Sequence, residues 1–403
     1  MWINFSPLRK PDFRRLFVGQ TVSFFGSMMS YVAIPYQVYE ISKSSFLVGL
    51  LGFTQLAPLV IAGLWGGALA DSMDRRKLLI GSEALLVLVT LLLLGNSLLP
   101  TPSLWVLFIA SALASALVGF HRPAMEALTP QMVGEKDMPA VAALSTMRHG
   151  FCAVAGPALG GVLIATWGIE WTYALDAATY IVSLLALAKI KSIPIQNAEE
   201  RADWRSIREG FEYAVKRPVL VGSYLVDIIA MIFAMPMALY PALALAWGGA
   251  SAAGWLYAAL PLGALFISLL SRPLEQVNRH GAGVVIGASV WGVFIIGLAF
   301  QGSLVGAVIC LALAGAADGI SAIYRQTIWN QTIPTNFRGR LAGLNMLSYM
   351  IGPLMGNARA GLMASYSSNF SSIFLGGCLC VLGSVASIRL FPEFWRYRSK
   401  SAL

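Results

Sequence analysis

Twelve mostly apolar stretches, each about twenty residues or longer and set off by short polar punctuation, run through this 403-residue chain. A helix that crosses a bilayer needs about 20 such residues, because the hydrocarbon core holds no water to satisfy an open backbone. The runs fall at 16–39, 46–70, 78–99, 103–126, 140–165 and 171–190, then at 218–246, 252–271, 282–300, 303–329, 341–365 and 370–392. Only 12% of the residues are charged, against about 25% in a soluble domain. The expectation is an all-α membrane protein with twelve transmembrane helices, embedded in the lipid bilayer.

The net charge of +9 does not indicate a nucleic-acid partner, because the basic residues sit in short loops between apolar runs and form no soluble patch. Basic loops favour the cytoplasmic side. With the N-terminus inside, Arg9, Lys10, Arg14, Arg15, Arg75, Arg76, Lys77, Lys136, Arg272, Arg279, Arg338, Arg340 and the tail from Arg389 to Lys400 face the cytoplasm, and Lys43 alone faces out. This predicts a multi-pass inner-membrane protein with both termini cytoplasmic. A polar, basic N-terminus without a small-residue cleavage site predicts no removable signal peptide. Cys152, Cys310, Cys378 and Cys380 all lie in apolar runs, where a thiol acts as a small hydrophobe. No disulfide framework, metal site or cofactor is expected.

The runs group into an N-terminal six-helix half at 1–190 and a C-terminal half at 218–403 that includes a cytoplasmic tail. Between them lies a charged cytoplasmic loop at 191–217, in which Trp204 to Val215 can form a surface amphipathic helix or a plain solvated linker. Each half carries a related hexapeptide in its fifth span, Gly156-Pro157-Ala158-Leu159-Gly160-Gly161 and Gly352-Pro353-Leu354-Met355-Gly356-Asn357. Duplication with pseudo-symmetric halves is the better reading of that shared placement.

Between spans 2 and 3 stand Gly67, Asp71, Asp74, Arg75, Arg76 and Lys77. Glycine permits close helix approach, an acid can cap a neighbouring helix, and arginines can tie down facing acids or carbonyls, which together make a gating latch. The competing reading is that the basic residues are topological anchors. Gly156, Pro157, Gly160 and Gly161 in span 5 suit a seal or pivot, since small residues let backbones approach and proline bends the helix.

Ionisable residues inside spans cost about 2.5–3.5 kcal/mol each and mark function by default. Here they are Glu83, Arg122, Glu126, Arg148, His149, Asp176, Asp227, Asp318, Arg325 and Arg359. Arg122 and Glu126 stand four apart, which suits a local ion pair. Asp318 and Arg325 stand seven apart, beyond direct pairing in a rigid helix, so both are expected to face one cavity or the opposite half. Asp227 and Asp318 are the proton-coupling candidates; the competing reading is a carboxylate permanently paired with an arginine. Tyr31, Tyr257 and Tyr324, with Arg122 and Arg325, are the substrate-binding candidates. Tyr36, Tyr39, Trp255 and Trp329 also suit the lining of an apolar cavity for a ring-bearing substrate, but Tyr39, Trp255 and Trp329 lie near span ends and are weighted toward interfacial belts.

The loop from Gly67 to Lys77 resembles the signature loop of the major facilitator superfamily, with Ser72 where a basic residue is usual and Asp74 where a glycine is usual. The glycine-proline element of span 5 resembles that of the superfamily's exporters. Gly119, Pro123, Thr129-Pro130 and Leu175-Asp176-Ala177-Ala178-Thr179-Tyr180 are similar to the branch containing siderophore (enterobactin) exporters and macrolide efflux proteins. So are Leu239 to Ala244, Leu256 to Ala264 and Gly339-Arg340 with Asn345. The resemblance implies a major facilitator fold and export of a small molecule, with a siderophore leading, by proton-coupled alternating access of a monomer. A match is lacking at Asp318 and Arg325, which points to an anionic siderophore of another type, its charge offset by Arg122 and Arg325. The alternatives are multidrug or macrolide efflux and, in another class, a membrane sensor or scaffold. No nucleophile elbow, metal-ligand spacing or phosphate loop suggests an enzyme.

Overall fold

A computed structural model of the chain describes residues 4–191, 212–270 and 277–398, and leaves out the side chains at 64, 67–68, 70–72, 135 and 335–349. The segment from Trp204 to Phe211, Arg272, Lys400, and the placement of Gly67 and of the Asp71, Arg338, Arg340 and Asn345 side chains therefore lie outside the described residues.

The described residues form helices joined by short turns and contain no strand, as expected. In chain order the helices are α1 (Pro11–Ser42), α2 (Ser45–Ser72), α3 (Arg75–Ser97), α4 (Leu104–Val133), α5 (Met138–Trp167), α6 (Ile169–Ala188), α7 (Pro218–Ala234), α8 (Tyr240–Ala246), α9 (Ala250–Leu269), α10 (His280–Ala299), α11 (Leu304–Thr332), α12 (Thr335–Tyr366), α13 (Asn369–Leu390) and the short α14 (Pro392–Trp395). Among the described residues eleven spans are long and apolar enough to cross a membrane, α7 and α8 counting as one. The more polar α12, 32 residues long, is the twelfth.

Several helices overrun the apolar stretches. Helix α1 starts at Pro11 and includes Arg14 and Arg15, because backbone hydrogen bonding continues past the hydrocarbon while hydropathy does not. Turns between neighbours are tight. Gly134 at φ 77° ends α4 and Gly168 at φ 102° separates α5 from α6, and both are left-handed conformations that favour glycine. Asn96 closes the α3–α4 turn by accepting the Ser103 N–H at 2.8 Å and donating to the Ser103 carbonyl at 3.2 Å.

The chain forms two compact units. Unit 1 comprises Met1–Lys43, Thr54–Arg201 and Gly248–Ala258; unit 2 comprises Ser44–Phe53, Ala202–Trp247 and Ala259–Leu403. One end of unit 1 is held by a buried cluster of Leu16, Leu79, Ala124, Leu128, Leu187 and Ile190, which joins α1, α3, α4 and α6. In unit 2, α14 closes on α7 and α10: Phe394 is fully buried and occupies the space a side chain would need at Gly222 and Gly281. Large apolar side chains such as Leu88, Trp105, Val305 and Leu382 are exposed, as they are on a surface solvated by lipid.

The expected continuous span at 218–246 is interrupted. Helix α7 stops at Ala234, and a single 3-10 turn, Met237–Leu239, leads into α8. Pro236 is the cause: with no N–H it cannot bond the Ile232 carbonyl four residues back. Helix α12 supplies the missing partners. Arg359 Nε donates to that Ile232 carbonyl at 3.2 Å, and Asn357 Oδ1 accepts the Ala238 N–H at 3.1 Å. A broken helix survives in a membrane when a neighbour satisfies the freed groups in this way.

Candidate functional site

Helix α7 meets α11 where three charges come together inside unit 2. Arg325 Nη1 lies 2.8 Å from Asp227 Oδ1, and Arg325 Nη2 lies 3.4 Å from Asp318 Oδ1. Nη1 also donates to Ser321 Oγ at 3.2 Å. The expectation that Asp318 and Arg325 stand too far apart for a direct pair is therefore corrected. Helical side chains lean toward the N-terminus of their helix, and the long arginine stem carries its head back two turns to the acid. The side chains of Asp227 and Arg325 are 8% and 18% exposed, whereas that of Asp318 is 30% exposed, so Asp227 is the more deeply held acid. Two carboxylates share one guanidinium, which leaves the cluster one negative charge in excess when both are ionised.

Asp227 and Arg325 line a cavity of about 250 Å³ together with Ser223, Tyr224, Gln326 and Trp329. Trp329 belongs to this cavity wall, the alternative to an interfacial belt for that residue. Drug-sized ligands occupy roughly 300–1,000 Å³, so this hollow suits a small group and does not enclose a whole cargo molecule. Tyr324 lies elsewhere: it is buried, stacks on His280 at a ring separation of 5.3 Å and covers Gly283. The structure thus brings together Asp227, Asp318 and Arg325 but gives Tyr324 a packing position.

In unit 1, Arg122 pairs with Glu126 at 3.5 Å, the local pair that their spacing suggested. Tyr31 and Tyr257 meet edge to face at 5.6 Å between centroids. His149 hydrogen-bonds the Ser145 carbonyl at 3.1 Å and packs on Phe24 at 4.7 Å.

The α2–α3 junction has the parts of a latch. Asp74 is the N-cap of α3, and its side chain accepts the Arg76 N–H at 2.9 Å, so the residue that departs from the family glycine is the one that starts the helix. Arg75 Nη1 donates to the Ala127 carbonyl at 3.2 Å, and Arg76 reaches the Leu187 and Ala188 carbonyls at 3.2 and 2.7 Å. The Leu187 and Ala188 carbonyls end α6, where the helix dipole favours cations, and Ala127 lies within the last two turns of α4. The two arginines therefore tie one loop to the ends of two helices.

The glycines of α5 mark close approaches on two sides. A side chain at Gly156 would strike Met28 of α1, and one at Gly160 would meet Met29 Cα at 3.0 Å; one at Gly161 would meet Gly254 Cα of α9 at 2.7 Å. Unit 2 repeats the arrangement. Gly352 and Gly356 lie against Met231 of α7, and Gly361 faces Gly49 of α2, whose Cα lies 3.0 Å from the atom a side chain would add. Small residues in membrane helices serve such backbone approaches.

Two buried acids in unit 1 were named among the in-span charges but passed over as candidates. Glu83 is fully buried and lies 3.4 Å from His121 Nε2, and Asp176 accepts a hydrogen bond from Ser30. The polar stripe of α1 that meets them, Gln20, Ser23, Ser27 and Ser30, is legible in the sequence as a three-four-three spacing.

A family model described as transmembrane secretion effector matches residues 3–398. The enterobactin exporter EntS of Salmonella paratyphi A is 28% identical over 402 residues, covering 99% of this chain and 97% of its own. The EntS of Citrobacter koseri is 29% identical over 400 residues, covering 98% and 96%. Among solved structures, the peptide transporter POT superposes with a TM-score of 0.76 at 14% identity over 96% of this chain and 95% of its own. The nucleoside transporter NupG does so with 0.75 at 12% identity over 94% and 99%. These two likenesses carry the fold, and the sequence relatives carry the kinship: the chain belongs to the transmembrane secretion effector family of the major facilitator superfamily and is a multi-pass membrane transporter.

Proposed function

We propose that this transporter exports a siderophore-like small molecule across the inner membrane by proton-coupled alternating access. In this reading its termini are cytoplasmic, and residues 1–190 and 218–403 rock about a central site. The observation that carries the coupling is the cluster of Asp227, Asp318 and Arg325, in which one guanidinium serves two carboxylates beside a cavity. A proton on one carboxyl balances the remaining carboxylate against the arginine, and its release restores a net negative charge. The cluster can thus alternate between two charge states, which a coupled carrier requires. Asp227 and Asp318 are the proton carriers, and Arg325 is the group that keeps their ionised forms tolerable.

Siderophore cargo is supported by the enterobactin exporters, similar along nearly the whole chain. Because Arg325 is already engaged by two acids, anionic compensation of the cargo falls to other groups, and a cargo that travels with its acidic hydroxyls protonated suits this site. The aromatic walls of the cavity, Tyr224 and Trp329, favour a ring-bearing molecule; for the same reason an amphiphilic drug is the second reading. Comparison of medium and cytoplasm in a deletion strain under iron starvation separates the two. Siderophore accumulation inside cells with unchanged drug susceptibility is the expected result, and normal secretion removes the siderophore reading. In proteoliposomes, Asp227→Asn should abolish proton-dependent transport. Full retention by both Asp227→Asn and Asp318→Asn removes the two acids as carriers.

A further inference from the structure

Within unit 1, α1 and α6 border a groove of about 500 Å³. A side chain at Gly19 of α1 would meet Ala186 Cβ of α6 at 3.1 Å, so the two helices touch there, and Ala186 forms part of the groove wall. Val18, Val182 and Leu185 supply the rest of its apolar lining and are 52%, 49% and 60% exposed. On helices embedded in a membrane, apolar side chains so open face lipid. At one end stand Arg14 and Arg15 of α1 and Lys189, the C-cap of α6. Val182 lies two turns of α6 away from Lys189, about 10 Å along the axis. The groove is thus basic at one end and apolar along the rest, and no acid lines it.

The three cations are not equally engaged. Arg15 Nη1 lies 2.8 Å from Asp12 Oδ1 and donates to the Lys189 carbonyl at 3.1 Å. Arg14 and Lys189 are exposed, and neither side chain makes a hydrogen bond or ion pair among the described residues. Three cations against the one carboxylate of Asp12 leave two positive charges at this end. Carbonyl oxygens that end a helix repel an anion, but here they are covered: Arg76 bonds those of Leu187 and Ala188, and Arg15 bonds that of Lys189. A small anion would use the charges and leave the apolar walls bare, and a hydrocarbon would do the reverse. An amphiphile with a phosphate at one end satisfies both, and basic pockets between membrane helices recognise lipid headgroups in this way.

We propose that this groove binds one anionic phospholipid of the bilayer. Its phosphate sits between Arg14 and Lys189, and an acyl chain runs along Val18, Val182 and Leu185. The lipid thereby joins the start of α1 to the end of α6. The site stands apart from the cargo and from proton coupling, and its test uses neither.

The test is native mass spectrometry of the purified full-length chain in a neutral detergent, with phosphatidylglycerol and the zwitterionic phosphatidylcholine of the same acyl chains in competition. The wild type should retain one phosphatidylglycerol in preference. Arg14→Gln combined with Lys189→Gln breaks no side-chain contact among the described residues and should weaken that binding about 30-fold, the effect of losing two basic residues at a lipid headgroup. Arg9→Gln combined with Lys136→Gln removes the same charge from exposed positions outside the groove and should leave binding unchanged. Leu185→Trp crowds the apolar wall, keeps every charge, and should also weaken binding. Glycerol 3-phosphate, which has the anion and no chain, should not compete. The proposal is overturned if the two lipids bind alike, if both charge pairs weaken binding equally, if Leu185→Trp binds as the wild type does, or if glycerol 3-phosphate displaces the lipid.

Discussion

The two units handle buried acids differently. Unit 2 sets Asp227 and Asp318 against one arginine, at 2.8 and 3.4 Å. Unit 1 gives Glu83 a histidine, an amide and a hydroxyl, and gives Asp176 the Ser30 hydroxyl. A guanidinium makes the ionised state tolerable in a membrane interior, whereas hydroxyl and amide donors offset less of the cost of burying a charge. Nearly the same helix-packing plan thus carries one acid site built on a guanidinium and another built mainly on hydroxyls and an amide.

The largest expected effect breaks the charged site. Arg325→Leu strands two carboxylates and should abolish transport at a cost of about 3–5 kcal/mol in stability, read as a lowered Tm of the purified protein. His121→Leu, its counterpart, should cost far less, because Glu83 keeps Gln20 and Ser183. Equal losses would end the distinction between the units.

The packing plan itself is tested next. Gly161→Ala in unit 1 and Gly361→Ala in unit 2 each press a methyl into an opposing glycine backbone, and overpacking of this kind costs about 1–3 kcal/mol. Matched losses in Tm and in transport rate would show that the two approaches are equivalent; a loss confined to one would assign the moving contact to that unit.

Smaller effects concern the features that have no twin. Asn357→Ala leaves the Ala238 N–H without its acceptor at the break in unit 2, a loss of about 1–3 kcal/mol for a buried group; a cost near zero would mean water replaces the amide. Asp74→Ala removes the cap of α3 in unit 1 for about 1 kcal/mol, and Asp74→Ser should recover most of it. Failure of serine to rescue would show that the Asp74 charge, and not its capping bond, matters.

Much of this protein was legible in the residues themselves. A dozen apolar runs determined a helical membrane fold, since a backbone in hydrocarbon must satisfy its own hydrogen bonds. The glycine spacing of Gly156, Gly160 and Gly161 marked close approaches, and the Arg122–Glu126 pair followed from a spacing of four. Interactions that reach between helices were not readable. Periodicity says which face a residue occupies, not which helix that face meets or how far a long side chain bends. Only the tertiary structure decided that Arg325 serves both Asp227 and Asp318, that Pro236 breaks α7 with Asn357 and Arg359 repairing it, and that Tyr324 packs on His280. The same holds for Glu83 and Asp176: the chain shows two acids in apolar runs, and the fold alone sets them against the polar stripe of α1, with no arginine or lysine ion pair among the described residues.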